Sequence, residues 1–149
     1  MIIVSMPVFS DNLIRPFISG SFATILKQYQ DKPVAIVFWS LDCPSCYKEL
    51  EMLGRLSHNL RRQFNIVLIS TDSEVSRDEI QSALSKYNLK NIEAWIFRTD
   101  SDIALRYEID RSWYGELPRS YFYKDSKKIE VISGLLSEEK LKKWFKQSY

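Results

Sequence analysis

One histidine, two cysteines and four glycines are all the chain has of those residues in 149 positions. A zinc half-site is disfavoured, because no second cysteine pair exists and His58 follows the first too closely to complete a tetrahedron. No apolar run is longer than Val34–Trp39, far short of the roughly 20 residues that cross a bilayer. Neither charge dominates: 21 Lys+Arg stand against 19 Asp+Glu, a formal +2, so no nucleic-acid partner is expected. Repeats, low-complexity tracts and Gly/Ser linkers are missing, and the length suits a single domain over 1–149. The start, Met1-Ile-Ile-Val-Ser-Met-Pro7, lacks a basic segment and a long apolar one. It does not read as a secretory leader, which fits a cytoplasmic protein or one whose leader has been cut away. What the chain does have is 45% hydrophobic and 13% aromatic residues, enough for a packed core without metal or disulfide staples.

Residues 1–20, with Pro7, Pro16 and Gly20, read as an irregular lead-in. Ser21–Gln30 is expected as a short helix capped by Ser21, with Phe22, Ile25, Leu26 and Tyr29 at helical spacing, and Asp31-Lys-Pro33 stops it. The continuous β-branched and aromatic run Val34–Trp39 marks a strand buried on both faces. A helix should run from Pro44 to about Gln63, carrying Cys46, Leu50, Leu53, Leu56, Leu60 and Phe64 on one stripe. Asn65–Ser70 is a second buried strand, and Ser76-Arg-Asp-Glu79 is a capping box opening a helix to about Asn88. Glu93–Arg98 is strand-like, and Asp100–Glu108 is helical. Arg119–Tyr123 and Lys128–Ser133 flank a hairpin turn that lacks the usual glycine. Ser137–Gln147 closes the chain: Glu138 and Glu139 sit in its first turn, Lys142, Lys143 and Lys146 sit late, and Leu141, Trp144 and Phe145 form its apolar face. Alternating strands and helices with a final hairpin give an α/β three-layer sandwich around a mixed sheet.

Both cysteines fall in Cys43-Pro-Ser-Cys46, between a buried strand and the helix it feeds. Their spacing puts the sulfurs on one side of the first turn, close enough to join. Cys43 meets the unpaired N–H groups of the helix N-terminus, which stabilise a thiolate, whereas Cys46 lies one turn in on the inward stripe. That asymmetry makes Cys43 the nucleophile and Cys46 the resolving thiol of a redox-active disulfide. Pro44 suits the first helical position, where its missing N–H costs nothing. Two incidental core cysteines remain the plain alternative.

Val34–Trp39, Ser40-Leu-Asp42, the Cys43–Cys46 motif, Glu49 and the late run Gly115-Glu-Leu-Pro118-Arg-Ser-Tyr-Phe122 together resemble the TlpA/ResA-like thiol–disulfide oxidoreductases of thioredoxin fold. The resemblance covers roughly residues 20–147. It implies that Pro118 is cis and lies against the cysteines, and that the second strand–helix pair before Pro118 is that family's insertion. It also implies that Glu49 tunes the thiols and moves a proton, although a solvated residue paired with Lys48 or Arg55 is equally open. A substrate backbone would pair at Leu117. By the same resemblance the substrates are disulfides in extracytoplasmic proteins, such as apocytochrome c or copper-site proteins, and a thiol donor, membrane-bound in some relatives, supplies electrons in the periplasm. No cofactor and no metal are implied, and a monomer is expected. Asp42 stands where the family usually has Trp, Val37 where thioredoxin has a buried acid, and Glu51 where a proline often bends the helix.

Trp39, Trp113, Tyr114 and Leu117 are candidates to line an apolar groove beside the cysteines, and Arg61, Arg62 and the Lys140–Lys146 face read as solvated surface. The motif also bears on redox direction. No histidine lies between the cysteines, and Asp42 at ~7 Å through water costs a thiolate roughly 0.6 kcal/mol, nearly offsetting the ~0.3–1 kcal/mol from the helix dipole. A reducing or intermediate couple is therefore expected. Two other classes compete: a Cu(I)-binding metallochaperone using the soft thiolates, and an interaction domain that keeps only the fold. Peroxidase chemistry is disfavoured, since no Thr-x-x-Cys leads into the site.

Overall fold

The computed structural model describes residues 13–148, without the side chains of 57–63 and 148. Pro7, the lead-in up to residue 12 and the side chains of His58, Leu60, Arg61 and Arg62 lie outside the described residues. In chain order the elements are β1 (Arg15–Phe17), α1 (Ser21–Gln28), β2 (Val34–Trp39), α2 (Pro44–Gln63), β3 (Asn65–Ser70), α3 (Arg77–Lys86), β4 (Glu93–Phe97), α4 (Asp102–Ile109), β5 (Arg119–Lys124), β6 (Lys127–Ser133) and α5 (Glu138–Ser148). They form one six-stranded sheet in the order β1-β4-β3-β2-β5-β6. β1, β4, β3 and β2 run parallel, and β5 and β6 add an antiparallel edge.

The period-2 geometry of β2 divides the core. Ala35, Val37 and Trp39 face one side with Leu50 and Leu53 of α2, Leu84 of α3 and Leu141 of α5. Val34, Ile36 and Phe38 face the other, with Ile25 of α1 and Leu105 of α4. Two apolar layers on a sheet whose central strand is wholly buried make the three-layer sandwich read from the sequence.

Sequence and structure part at a few places. The lead-in contains β1, an edge strand whose Phe17 pairs in register with Phe97 of β4 and stacks on its ring at 5.3 Å. Three residues with a proline give no period-2 signal, so only the neighbouring strand reveals it. Ser21 is not the cap of α1: Gly20 takes that place at φ 86°, a left-handed conformation, and the Ser21 hydroxyl accepts the Ile18 N–H instead. α4 starts two residues later than expected, because the Ser101 side chain caps it. The hairpin turn manages without glycine by placing Asp125 and Ser126 at φ 52° and 61°, the pair of positive angles that a two-residue turn needs. Gly54 has a packing reason: a Cβ there would lie 1.9 Å from the Tyr87 carbonyl, so its absence lets α2 close on the end of α3.

Candidate active site

β2 ends at Trp39, level with the last residue of β3, and Ser40–Asp42 carry the chain to α2. Cys43 and Cys46 are joined as a disulfide with Cα atoms 5.3 Å apart. The Cys46 amide donates to Cys43 Sγ at 3.2 Å, so the helix N-terminus supplies the expected donor. Cys43 is half-buried, whereas Cys46 is 0% exposed, so Cys43 is the accessible member of the pair.

Register places the proline. β2 and β5 are antiparallel, with Phe38 opposite Arg119, so Pro118 falls beside the end of β2 from which the cysteine loop leaves. The Leu117–Pro118 peptide is cis, and the Pro118 carbonyl accepts the Gly134 N–H. Leu117 is half-buried and packs against both core layers.

Glu49, three residues after Cys46 and on the same helix face, is 2% exposed. The solvated reading therefore does not hold, and Arg55 reaches Glu138 instead. Glu49 Oε1 accepts the Ser120 hydroxyl at 3.3 Å and Oε2 the Leu136 N–H at 3.2 Å. Burial pushes the carboxyl up to about 7, against these two hydrogen bonds, which pull it down.

The aromatic candidates separate. Trp39 is buried in the α2-side layer. Trp113 is also turned inward, 4% exposed, with its ring 4.8 Å from that of Phe38 and its Nε1 donating to the Glu116 carbonyl. Both are core residues rather than groove walls. Tyr114 is 86% exposed, which leaves Tyr114 and Leu117 beside the proline.

Two further groups support the site unannounced by any motif. The Asp72 carboxylate, just past β3, accepts the Ser40 hydroxyl at 2.7 Å, the Leu41 N–H at 3.0 Å and the Ser70 hydroxyl. A carboxylate at the C-terminal end of a parallel strand was the signal that could have singled it out. Arg119, directly after Pro118, pairs with Asp110 at 3.0 Å and Glu116 at 2.8 Å, and its Nε donates to the Tyr121 hydroxyl. An arginine opening the strand with the aromatic run Tyr121–Tyr123 is its sequence signal.

The sheet order, the helices on both its faces and the Cys43–Cys46 disulfide at the mouth of α2 define a protein of thioredoxin fold. The chain belongs to the AhpC/TSA family, whose model matches residues 21–132. No curated protein matches it. Among solved structures it is similar to a secreted Mycobacterium tuberculosis disulfide oxidoreductase homologous to E. coli DsbE, at 24% identity and TM-score 0.61 over 81% of this chain and 85% of that one. A thiol:disulfide interchange protein of the thioredoxin family from Chlorobium tepidum matches at 16% and 0.65, over 85% and 83%. The exposed lipoprotein thioredoxin Etrx1 of Streptococcus pneumoniae matches at 16% and 0.60, over 82% and 89%. At these identities the structural likeness speaks for the fold.

Proposed function

We propose that this single domain, acting as a monomer, reduces disulfide bonds in protein substrates by dithiol–disulfide exchange. The observation that carries the reading is the asymmetry of the pair: a half-buried Cys43 whose sulfur accepts a helix N-terminal amide, and a fully buried Cys46, with the buried Glu49 one turn further along the same helix. In the reduced protein the Cys43 thiolate attacks one sulfur of the substrate disulfide. The other substrate sulfur leaves as a thiolate and takes a proton from water. Cys46 then gives its proton to Glu49 and attacks Cys43 Sγ, which breaks the mixed disulfide; the second substrate sulfur leaves as a thiolate and takes a proton from water. Two electrons have passed to the substrate, and the Cys43–Cys46 disulfide is left for an external thiol donor to reduce. Glu49 suits the proton step because a carboxyl near neutrality accepts and returns a proton at working pH. The Leu117 backbone, beside the cis Pro118 and just before β5, is where a substrate backbone pairs, and the exposed Tyr114 ring covers its side chains.

An extracytoplasmic setting, with client proteins such as apocytochrome c or copper-site proteins and a membrane thiol donor, follows from the TlpA/ResA resemblance. It is supported by the secreted and exposed relatives of like fold. Insulin reduction with a dithiol donor tests the activity. Turnover is expected for the unmodified protein only, with Cys43→Ser inert and Cys46→Ser trapped as a mixed disulfide through Cys43. Turnover by Cys43→Ser would overturn the assignment, and tight Cu(I) binding without any exchange would favour the metallochaperone instead.

A further inference from the structure

The segment between β2 and α2 has no regular structure, yet the amides of Leu41, Asp42 and Cys43 are all bonded. The Leu41 N–H donates to Asp72 Oδ2 at 3.0 Å, the Asp42 N–H to Ser40 Oγ at 3.1 Å, and the Cys43 N–H to the Ser40 carbonyl at 3.2 Å. The Leu41 carbonyl accepts the Tyr47 hydroxyl. Ser40 is buried and joins the two halves of this arrangement: its hydroxyl donates to Asp72 Oδ1 at 2.7 Å while accepting from Asp42. Asp72 is itself fixed. Its N–H donates to Ser70 Oγ, whose hydroxyl returns a bond to Oδ2. The Arg98 guanidinium, from the end of β4, donates to the carbonyls of Ser73 at 3.1 Å and Val75 at 2.7 Å, and so pins the loop that carries Asp72.

We infer that Asp72 is a positioning residue for the reaction, holding the Ser40–Asp42 loop so that Cys43 stays against the helix N-terminus. The inference rests on Cys43 being the nucleophile proposed above. Asp72 acts through Ser40 and Leu41 and touches no reacting atom, so its role is to keep Cys43 Sγ on the Cys46 amide. A loop released from Asp72 lets the sulfur drift from that donor, and its thiolate loses stabilisation. The opposite effect comes from charge alone, because removing a nearby carboxylate favours a thiolate. The two roles therefore shift Cys43 reactivity in opposite directions with pH. The ionisable groups around the segment and the loop that holds it are Asp42 itself, Tyr47 on α2, Tyr87 stacked on Tyr47, Asp72 after β3, Arg98 after β4 and Asp102, which accepts the Ser73 hydroxyl. None of these other groups is altered in the variants below.

The test is the pH profile of iodoacetamide alkylation at Cys43 in the reduced full chain, beside the thermal midpoint. Asp72→Ala is expected to move the alkylation midpoint upward and slow alkylation at pH 7 by about threefold to tenfold. Asp72→Asn keeps an acceptor for the Leu41 N–H, so its midpoint is expected at or below that of the unmodified protein. An Asp72→Ala midpoint that falls, or stays put while only the thermal midpoint drops, overturns the inference. If Asp72→Ala does not fold, Ser40→Ala is read in its place, with the same upward shift expected and an unmoved midpoint overturning it. An unmodified protein whose Cys43 resists alkylation at every pH overturns the functional reading instead, which keeps the two failures apart.

Discussion

Glu49 and Ser120 meet between α2 and β5: the Ser120 hydroxyl donates to Glu49 Oε1 at 3.3 Å, and Ser120 lies opposite Val37 of β2 in the strand register. The buried acid near the site is thus carried by α2, one turn past Cys46, while the strand position that holds an acid in thioredoxin carries the apolar Val37. The same hydroxyl and the Leu136 amide hold the carboxylate from two sides, so its orientation is fixed by elements that are distant in sequence.

This buried carboxyl makes stability depend on pH. Its folded value, about 7, lies above the ordinary 4.5, so between those values the folded state holds a proton that the unfolded chain has released. The contribution is complete below pH 4.5 and is lost as pH rises through 7, at a cost of about 3 kcal/mol. Glu49→Gln removes the dependence, because an amide does not ionise. Urea unfolding of the oxidised protein at pH 5 and pH 8 checks this. The loss between the two is expected to be smaller in the variant by up to that amount, and equal losses would show that Glu49 titrates normally.

Arg119 and Asp110 form an ion pair with side chains 9% and 7% exposed, so buried-pair energetics apply rather than the weak coupling of a surface bridge. Burial pushes the Asp110 carboxyl up, but hydrogen bonds from Ser112, Arg119 and Tyr121 more than reverse this and hold it well below the usual carboxylate range. Arg119→Met leaves the Asp110 charge uncompensated, which costs about 3–5 kcal/mol. The thermal midpoint should fall by roughly 6–20 °C, and adding Asp110→Asn should recover at least half of the loss. A midpoint unmoved by Arg119→Met would contradict the assignment.

Tyr114 and Trp113 are adjacent yet face opposite ways, one 86% and the other 4% exposed. Tyr114→Ala should leave the thermal midpoint within about 1 °C, since exposed substitutions are nearly neutral. It should raise KM for a protein disulfide about threefold to tenfold, while the rate with the small disulfide DTNB stays unchanged. Trp113→Ala empties a core site and should cost about 3–5 kcal/mol of stability. If Tyr114→Ala slowed both substrates equally, the ring would not be a binding surface for protein.

Local signals were legible where they sufficed. The run Val34–Trp39 could only be a buried strand, Ser76 and Glu79 form the capping box that their spacing implied, and the inward stripe of α2 holds Cys46, Leu50 and Leu53 in the core. β1 was hidden because Arg15-Pro16-Phe17 is a strand only by virtue of β4. Trp113 reads as a groove residue because nothing nearby in the chain tells that Phe38 and Tyr121 lie against its ring. The supporting carboxylate escaped notice for the same reason: Asp72 meets Ser40 only once β2 and β3 lie side by side. A charged side chain announces its charge, but its partner is set by topology.

The most direct test of the whole account is a redox titration in dithiothreitol or glutathione buffers, with thiols trapped by alkylation and counted by mass. A single two-electron transition is expected, in which Cys43 and Cys46 gain or lose both labels together, at a potential nearer the roughly −270 mV of thioredoxin than the roughly −120 mV of a strong oxidant such as DsbA. Two sulfurs that never interconvert in the folded protein, or a couple at the oxidising extreme, would contradict it.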